Sequence, residues 1–246
     1  MITISAIIPA RNESKTIGRV IKSVKDSADE IIVVNSCSQD NTSRIASDSG
    51  AIVIDTNMPG KDIAIKTGIK NSTGEILVFI DADWENPNSN ISKLLVDGLF
   101  SDPSVIIAKG YYEEIHNYSE NGRLTELCAK PLLKILMPEL SHIKNPLSGE
   151  FAIRRKDIID LEFAPGFAVD LDILIQCSKK GKVCQVKLNS KIHKHRNLSE
   201  LGEDAIGIIT TIFQNCQTID NKKYFSDIIE KISFKTKLTE AQSIQD

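Results

Sequence analysis

Two carboxylates separated by one residue, Asp81 and Asp83, follow an apolar run over residues 76–80. The run is apolar on both faces and rich in strand-forming residues, which is typical of a buried parallel strand. Because side chains alternate along a strand, we expect both carboxylates to point to the same side. Beyond the end of such a strand, paired carboxylates suit a divalent cation that also holds phosphate oxygens. The pair predicts a metal–diphosphate site, and a turn that is acidic by chance is the alternative.

Two polar loops follow the first two predicted strands, at residues 9–13 and 35–42. The carboxyl ends of neighbouring parallel strands meet at one edge of a sheet, so we expect both loops to lie beside the acidic pair. Each loop alone is explained by helix capping, with Asn12 and Asp40 as the capping residues. Together with the acidic pair, the loops predict a site for a nucleotide base and ribose.

The bulk composition is that of an ordinary globular protein of 246 residues, with 41% hydrophobic and 26% charged residues. Thirty basic residues balance 33 acidic ones, which argues against a nucleic-acid-binding or membrane-surface protein. The five cysteines are scattered without a Cys-x-x-Cys spacing, and we expect them to be reduced. No apolar stretch has the length of a membrane span and no signal peptide precedes the first strand, so we expect a cytoplasmic location.

Strand and helix patterns alternate through the first half of the chain and predict a mostly parallel sheet with helices on both faces. Strands are predicted over residues 4–8, 30–34, 51–54, 76–83 and 105–108, with helices between them. The second half is less regular. It predicts helices over 123–137, 158–161 and 171–177, a loop over 141–150, and strands over 183–188 and 191–195. A further helix is expected after Asn197, with Glu200 completing a capping box, and a peripheral helix in the charged tail.

A series of motifs makes the chain resemble a known family. In the first half they are Pro9-Ala10-x-Asn12-Glu13, the loop 35–42, Pro59-Gly60-Lys61 and Asp81-x-Asp83, as in GT-A-type glycosyltransferases that use nucleotide-diphospho-sugars. In the second half they are Gly122-Arg123-x-Thr125, Pro146-Leu147-x-Gly149-Glu150, the segment 163–170 and His195-Arg196-Asn197. The full order is similar to that of the glucosyl-3-phosphoglycerate synthase family of retaining glucosyltransferases, over residues 4–215.

The resemblance implies a role for each matching residue. Nucleotide-sugar binding is implied for Pro9, Arg11, Glu13, Ser36, Lys61, Asp81, Ala82, Leu147 and Gly149. Acceptor binding is implied for Gly122, Arg123, Thr125 and Asn197, metal binding for Asp83 and His195, and catalysis for Asp170, Asp83 and Lys61. Without the motif, Arg123 reads as a surface arginine, His195 as a packed or exposed strand residue, and Asp170 as a helix N-cap.

The resemblance also implies a GT-A-like α/β fold and a reaction. Glucose would pass from UDP- or GDP-glucose to 3-phosphoglycerate with Mg²⁺ or Mn²⁺ bound, giving a precursor of the compatible solute glucosylglycerate. The nucleotide-sugar half would span 1–108, the acceptor half 109–215 and a tail 216–246, in a homodimer. A sugar nucleotidyltransferase, a transferase using mannose or glycerate, and a non-catalytic nucleotide-sugar sensor remain alternatives.

Five positions depart from the family pattern. Asn35 and Cys37 stand in a loop where Asp-Ser-Gly-Ser is commoner, and Ser148 stands where a second glycine is usual. Phe167 replaces a tyrosine, and Asp170 replaces a glutamate and is one methylene shorter. The loop changes bear on the base that is bound, and the last change bears on the catalytic role of Asp170.

Overall fold

The computed structural model describes residues 2–112, 122–188, 190–191 and 198–216, without the side chains of 198–200. Most of the strand predicted over 191–195 and the charged tail lie outside these ranges. So do the side chains of Asn197 and Glu200, the predicted capping box.

Strands and helices alternate through the first half, as the sequence predicts. The elements are β1 (Ile4–Ala10), α1 (Ile17–Val24), β2 (Glu30–Ser36), α2 (Thr42–Asp48), β3 (Ile52–Thr56), α3 (Lys61–Asn71), β4 (Ile76–Phe79), α4 (Ile91–Leu99) and β5 (Val105–Tyr112). Most strands extend one to four residues past their predicted ends, but β4 is shorter than predicted. It ends at Phe79, so Asp81 and Asp83 lie in the turn beyond the strand, and the argument from strand alternation is wrong.

The second half contains more short elements. They are a π-helical turn (Thr125–Ala129), α5 (Lys130–Leu136), a 3₁₀ turn (Pro138–Leu140), β6 (Phe151–Arg154), α6 (Arg155–Ile158), a 3₁₀ turn (Gly166–Ala168), α7 (Val169–Ser178), β7 (Lys182–Leu188) and α8 (Leu198–Asn215). The helix predicted over 158–161 is wrong, because α6 ends at Ile158. Strand β6 has no counterpart among the predicted elements.

The two residues predicted to cap helices, Asn12 and Asp40, make different contacts in the structure. Asn12 does not cap α1; its side-chain oxygen accepts the backbone N–H of Gln39 at 2.8 Å, and Thr16 occupies the N-cap position. Asp40 is not the N-cap residue of α2 either, although its carboxylate accepts the backbone N–H of Thr42, the first residue of that helix, at 3.0 Å. The same side chain accepts the N–H of Ser14 at 3.1 Å, so it also ties the two polar loops together.

The described strands form one mixed sheet of seven, in the order β3-β2-β1-β4-β6-β5-β7. Pairs β1–β2, β1–β4, β2–β3 and β5–β7 are parallel. Strand β6 is antiparallel to both β4 and β5. The carboxyl ends of β1, β2 and β4 therefore lie on the same edge as the amino end of β6.

Apolar clusters cover both faces of the sheet. On one face, α1 and α4 bury a stripe that includes Ile17, Val20 and Ile21 at 0% exposure, as the helical spacing predicts. On the other face, α3 and α7 pack against β1, β4 and β6. A third cluster joins α5, α7 and α8. The sheet edge is thus held between two packed layers, which keeps the side chains on its loops in place.

All five cysteines lie in the described part of the chain, and none of them forms a disulfide there. Among the helices that the structure describes, none combines the length and the apolar character needed to cross a bilayer.

Candidate active site

A cavity of about 470 Å³ opens at the carboxyl edge of β1, β2 and β4. Most of the nucleotide-site residues predicted from the sequence line it. The lining residues are Pro9, Ala10, Arg11, Glu13, Ser36, Gly60, Lys61, Ala64, Asp81, Ala82, Asp83, Gly166, Phe167 and Asp204. Ligands of open α/β sheets bind at this edge, so the fold and the predicted residues converge on one place.

The amino end of helix α3 faces this cavity through Gly60, Lys61 and Ala64. The first N–H groups of a helix have no partner within the helix, and together with the helix dipole they favour an anion. Ser36 positions the turn, since its hydroxyl accepts the N–H of Gly60 at 3.1 Å. The lysine and the helix end together form a site suited to a diphosphate.

Lys61 joins two carboxylates at the floor of the cavity. Its Nζ lies 2.6 Å from Oδ2 of Asp170 and 2.7 Å from Oδ1 of Asp81. Burial disfavours the charge of Lys61, but the carboxylates of Asp170 and Asp81 outweigh burial and raise the pKa of Lys61 above its usual range. Asp170 is 1% exposed, does not line the cavity, and lies in the first turn of α7 rather than at its N-cap. Asp170 therefore reaches the cavity only through Lys61.

A buried lysine, Lys191, contacts the acidic pair from the other side. Its Nζ lies 3.0 Å from Oδ2 of Asp81, 3.0 Å from Oδ1 of Asp83 and 2.9 Å from Oε1 of Glu150. Burial disfavours this charge too, but Asp81, Asp83 and Glu150 raise the pKa of Lys191 well above its usual value. The carboxylates of Asp81 and Asp83 thus point to the same place, as predicted. They share a contact with Lys191, and the alternation of side chains along a strand is not the reason.

Gly149 lies directly against Asp81. A Cβ built on Gly149 would stand 2.2 Å from Oδ1 of Asp81, closer than any real contact allows. The neighbouring Leu147 packs in the apolar cluster that also holds Phe167. The loop 146–150 therefore approaches the acidic pair because residue 149 has no side chain.

Lys109 is also buried, at 1% exposure on β5. Its Nζ donates to the backbone carbonyls of Ser148 and Asp170 and lies 5.3 Å from the ring centre of Phe151. Burial lowers the pKa of Lys109 to about 8, against the opposing effect of Asp170. One side chain thereby connects the loop that contains Gly149 with the start of α7.

Glu13 is half-buried in the wall of the cavity, and its carboxylate accepts a hydrogen bond from the Thr16 hydroxyl at 3.0 Å. Burial raises the pKa of Glu13 to about 7, and the nearby charge of Asp83 adds to the rise.

The neighbouring loops contain two non-glycine residues in the left-handed conformation, Asn12 with φ 57° and Cys37 with φ 55°. The conformation at Cys37 explains why glycine is commoner there in the family that the chain resembles.

The predicted acceptor residues that the structure describes lie at the start of the π-helical turn. Gly122 has φ 77°, and its carbonyl accepts the N–H of Glu126 at 2.7 Å. Thr125 lies within 2.9 Å of the Cβ position of Gly122. Leu124, between Arg123 and Thr125, packs in the same apolar cluster as Leu147 and Phe167. The segment thus packs on the same apolar cluster as Phe167 of the cavity wall, but Gly122, Arg123 and Thr125 do not line the cavity.

His195 and Asn197 lie outside the described residues. Within the described ranges, no group of three or more histidine, cysteine or acidic side chains is placed to hold a metal ion. Asp83 nevertheless fits a metal ligand, because its Oδ1 is buried at the cavity without accepting a hydrogen bond. Its contact with Lys191 is an ion pair without hydrogen-bond alignment.

The sequence did not single out Lys191, Glu150, Lys109 or Asp204 as site residues. Lys109 did carry a signal, since it interrupts the apolar run of β5. Glu150 stands in the motif Pro146-Leu147-x-Gly149-Glu150 but was assigned no role. Lys191 carried no signal, because nothing in its local sequence indicates that it is buried and paired.

The chain is similar in sequence to a known family and to solved structures. The sequence model of a family described as Glycosyl transferase family 2 matches residues 5–161, well over half of the chain. The chain belongs to glycosyl transferase family 2. Glucosyl-3-phosphoglycerate synthase of Mycobacterium tuberculosis is 35% identical to this family 2 transferase over 243 residues, which cover 89% of this chain and 75% of that protein.

Solved structures of the Mycobacterium tuberculosis synthase match the fold. A complex with Mn²⁺, uridine-diphosphate-glucose and phosphoglyceric acid has a TM-score of 0.82 at 36% identity, covering 89% of this chain and 81% of that one. A complex with Mg²⁺ and uridine-diphosphate has a TM-score of 0.81 at 36% identity, with the same coverage of both chains. The GT-A-like α/β fold predicted for this family 2 transferase is confirmed.

Proposed function

We propose that this chain is a metal-dependent glucosyltransferase that moves glucose from a nucleoside diphosphate glucose to the 2-hydroxyl of 3-phospho-D-glycerate. One observation carries the proposal. The cavity brings Lys61, Asp81 and Asp83 together at the sheet edge, in a chain 36% identical over 89% of its length to a synthase whose structure holds donor, metal and acceptor. UDP-glucose is the first donor to test, because the compared complexes contain uridine nucleotides.

In the proposed reaction, the bond between glucose C1 and the diphosphate oxygen breaks and a bond to the acceptor oxygen forms. Asp83 would hold the divalent cation, with His195 as the second proposed ligand. When bound, such a cation neutralises the charge that develops on the leaving diphosphate. Lys61 and the amino end of α3 provide further positive potential to the same diphosphate.

The other residues have positioning roles in this proposal. Asp170 orients Lys61 and, through it, the donor, since its carboxylate does not reach the cavity. Gly149 and Leu147 border the donor sugar. Arg123 binds the phosphate or carboxylate of the acceptor in a bidentate manner, with Gly122, Thr125 and Asn197 beside it. The family resemblance implies that the anomeric configuration is retained and that the leaving phosphate takes the acceptor proton.

We also propose a location, an oligomeric state and a division of the chain for this transferase. The transferase would work in the cytoplasm as a homodimer, with a mass in solution near twice 27.2 kDa. Residues 1–108 would bind the nucleotide sugar and 109–215 the acceptor, with 216–246 as a tail. Strand β5 crosses the boundary at 108, so the two halves share one sheet. GDP-glucose remains the second donor to test.

A donor–acceptor panel tests the function. UDP-glucose, GDP-glucose and their mannose counterparts are combined with 3-phosphoglycerate or glycerate, and products are identified by mass spectrometry. We expect glucosyl-3-phosphoglycerate from a glucose donor, loss of turnover with a chelator, and recovery with Mg²⁺ or Mn²⁺. Turnover that prefers glycerate would overturn the acceptor assignment. Tight donor binding without transfer to any acceptor would identify a sensor, and pyrophosphate release from a nucleoside triphosphate would identify a nucleotidyltransferase.

A substitution at Arg123 tests the assignment of the acceptor site. Arg123→Ala is expected to raise the KM for 3-phosphoglycerate at least about 30-fold, because a bidentate charge-assisted contact contributes about 2 kcal/mol or more. The KM for the donor should change less than about threefold. Arg44→Ala, at an exposed arginine of α2, is the matched control and should leave both constants unchanged. Equal effects of Arg123→Ala on both constants would contradict the assignment.

A further inference from the structure

Lys191 is a buried cation at the centre of the acidic cluster. It is 8% exposed, and its Nζ is 3.0 Å or less from carboxylates of Asp81, Asp83 and Glu150. The aromatic rings of Trp84 and Tyr112 lie beside it, with centres 5.8 Å and 5.9 Å from Nζ. An ammonium in such surroundings stabilises carboxylates that would otherwise repel one another in a medium of low dielectric constant.

The contact of Lys191 with Asp83 differs from its contacts with the other two acids. Lys191 donates hydrogen bonds to Oδ2 of Asp81 and Oε1 of Glu150. At Asp83 the ammonium is equally near, but Oδ1 accepts no hydrogen bond. Asp83 is also the most exposed of the three carboxylates, with 35% of its side chain accessible. The bond to Asp83 is therefore the one that Lys191 most readily gives up.

We propose that Lys191 is an internal counter-cation of the Asp81-x-Asp83 pair, which a divalent cation displaces from Asp83 when it binds. The inference rests on the proposed function, in which Asp83 is a metal ligand. Lys191 stays anchored after the exchange, because Asp81 and Glu150 continue to hold its ammonium. Glu150 is itself fixed, since it is fully buried and accepts a hydrogen bond from the Ser148 hydroxyl at 3.2 Å.

This arrangement makes metal binding depend on the nucleotide. Without a nucleotide, the incoming cation has to take a carboxylate from Lys191 and then lies near a positive charge. A bound diphosphate adds negative charge beside both cations and relieves their repulsion. Metal and nucleotide therefore increase each other's affinity, and the coupling is reciprocal. The enzyme would take up its metal together with the donor rather than before it.

The test uses the double variant Lys191→Met/Glu150→Gln, which removes one positive and one negative charge and leaves the net charge unchanged. Mn²⁺ binding is measured from the electron paramagnetic resonance signal of free Mn²⁺, with and without saturating UDP. Without UDP, the variant is expected to bind Mn²⁺ at least about tenfold more tightly than the wild type, because a unit charge next to the ligand has gone. With UDP, the two affinities should differ by less than about threefold.

Three controls accompany the double variant. Glu150→Gln alone retains the Lys191 ammonium and should not tighten Mn²⁺ binding. Lys182→Met, at a surface lysine paired with Asp102, should behave as the wild type. Asp83→Asn separates the two proposals, since it should lose Mn²⁺ binding whatever the role of Lys191. If Asp83→Asn binds Mn²⁺ normally, the metal site itself is wrong.

Two results would overturn the inference about Lys191. If Asp83→Asn loses the metal while the double variant binds Mn²⁺ no more tightly than the wild type without UDP, Lys191 is not a competing cation and the inference is overturned. If the double variant does not fold, the wild type still offers a test that can overturn the inference. Its Mn²⁺ affinity has to rise at least about tenfold on adding UDP, and an affinity that UDP leaves unchanged overturns the inference.

Discussion

Lys61 and Asp170 form an ion pair in which the acid is almost completely buried and the base faces the cavity. Such a pair contributes little to stability by itself, because desolvation of both charges offsets their attraction. Its value lies in geometry, since the ammonium is fixed between Asp170 and Asp81. Asp170 is one methylene shorter than the glutamate usual in the family, and its carboxylate lies behind the lysine, away from the cavity.

Removing only one member of this pair has a large expected cost. Lys61→Met should lower the free energy of unfolding by about 3–5 kcal/mol, because the Asp170 carboxylate is left buried without its partner. Lys61→Met/Asp170→Asn should regain most of that loss but not the activity, which needs the ammonium beside the diphosphate. Urea unfolding and donor turnover measure the two effects.

Lys70→Met is the control on the same helix, at an exposed lysine, and should change stability by less than about 0.5 kcal/mol. A double variant no more stable than Lys61→Met would show that the buried charge of Asp170 is not the cause of the loss.

The sequence predicted the residues that line the cavity better than those that support them. Asp81 and Asp83 stand at the end of a predicted strand and Lys61 stands in a motif before a predicted helix, so the local pattern was sufficient. Lys191 and Glu150 come from distant parts of the chain, and they become a site only because the fold buries them against Asp81. Long-range pairing of this kind leaves no local signature.

Strand β6 shows the same contrast at the level of elements. It has only four residues, and Phe151-Ala-Ile-Arg has neither a strand period nor turn residues distinctive enough to predict it. Pairing with β4 on one side and β5 on the other stabilises it. The longer elements β1, α1 and β2 were predicted because their apolar residues follow the spacing of a strand or a helix, and α3 was predicted because a Pro-Gly turn precedes it. Context overrides propensity most in short central strands.

The packing of β6 against β4 predicts a measurable loss of stability. Phe151 stacks on its cross-strand partner Phe79 with ring centres 4.5 Å apart, and both are buried. Phe151→Ala should lower the free energy of unfolding by about 3–5 kcal/mol, because it leaves a cavity in the central sheet. Urea unfolding measures the change.

Ile52→Ala on the edge strand β3, where the side chain is 53% exposed, is the matched control and should cost less than about 1 kcal/mol. Equal costs at the two positions would mean that β6 does not stabilise the sheet.

At the scale of the whole molecule, ligand binding should raise the Tm of the protein. At a concentration 100 times the Kd, UDP with Mn²⁺ adds about 2.7 kcal/mol to the folded state. For a chain of this length that corresponds to a Tm increase of about 5–10 °C. Scanning calorimetry should show this increase, and a chelator should remove its metal-dependent part. An Asp83→Asn variant that responds equally to Mn²⁺ would contradict the metal assignment.

The direction of β6 has a consequence for how new specificities can arise. The chain leaves the sheet at the end of β5 and returns at the start of β6, and the Gly110 N–H to Glu150 carbonyl hydrogen bond of 2.8 Å joins the two exits. Both ends of the segment between β5 and β6 are therefore fixed to neighbouring strands. Grafting this segment from a relative, with Leu147 and Gly149 retained, would exchange the proposed acceptor residues while the donor site stays intact, so acceptor preference can change independently of the activated sugar.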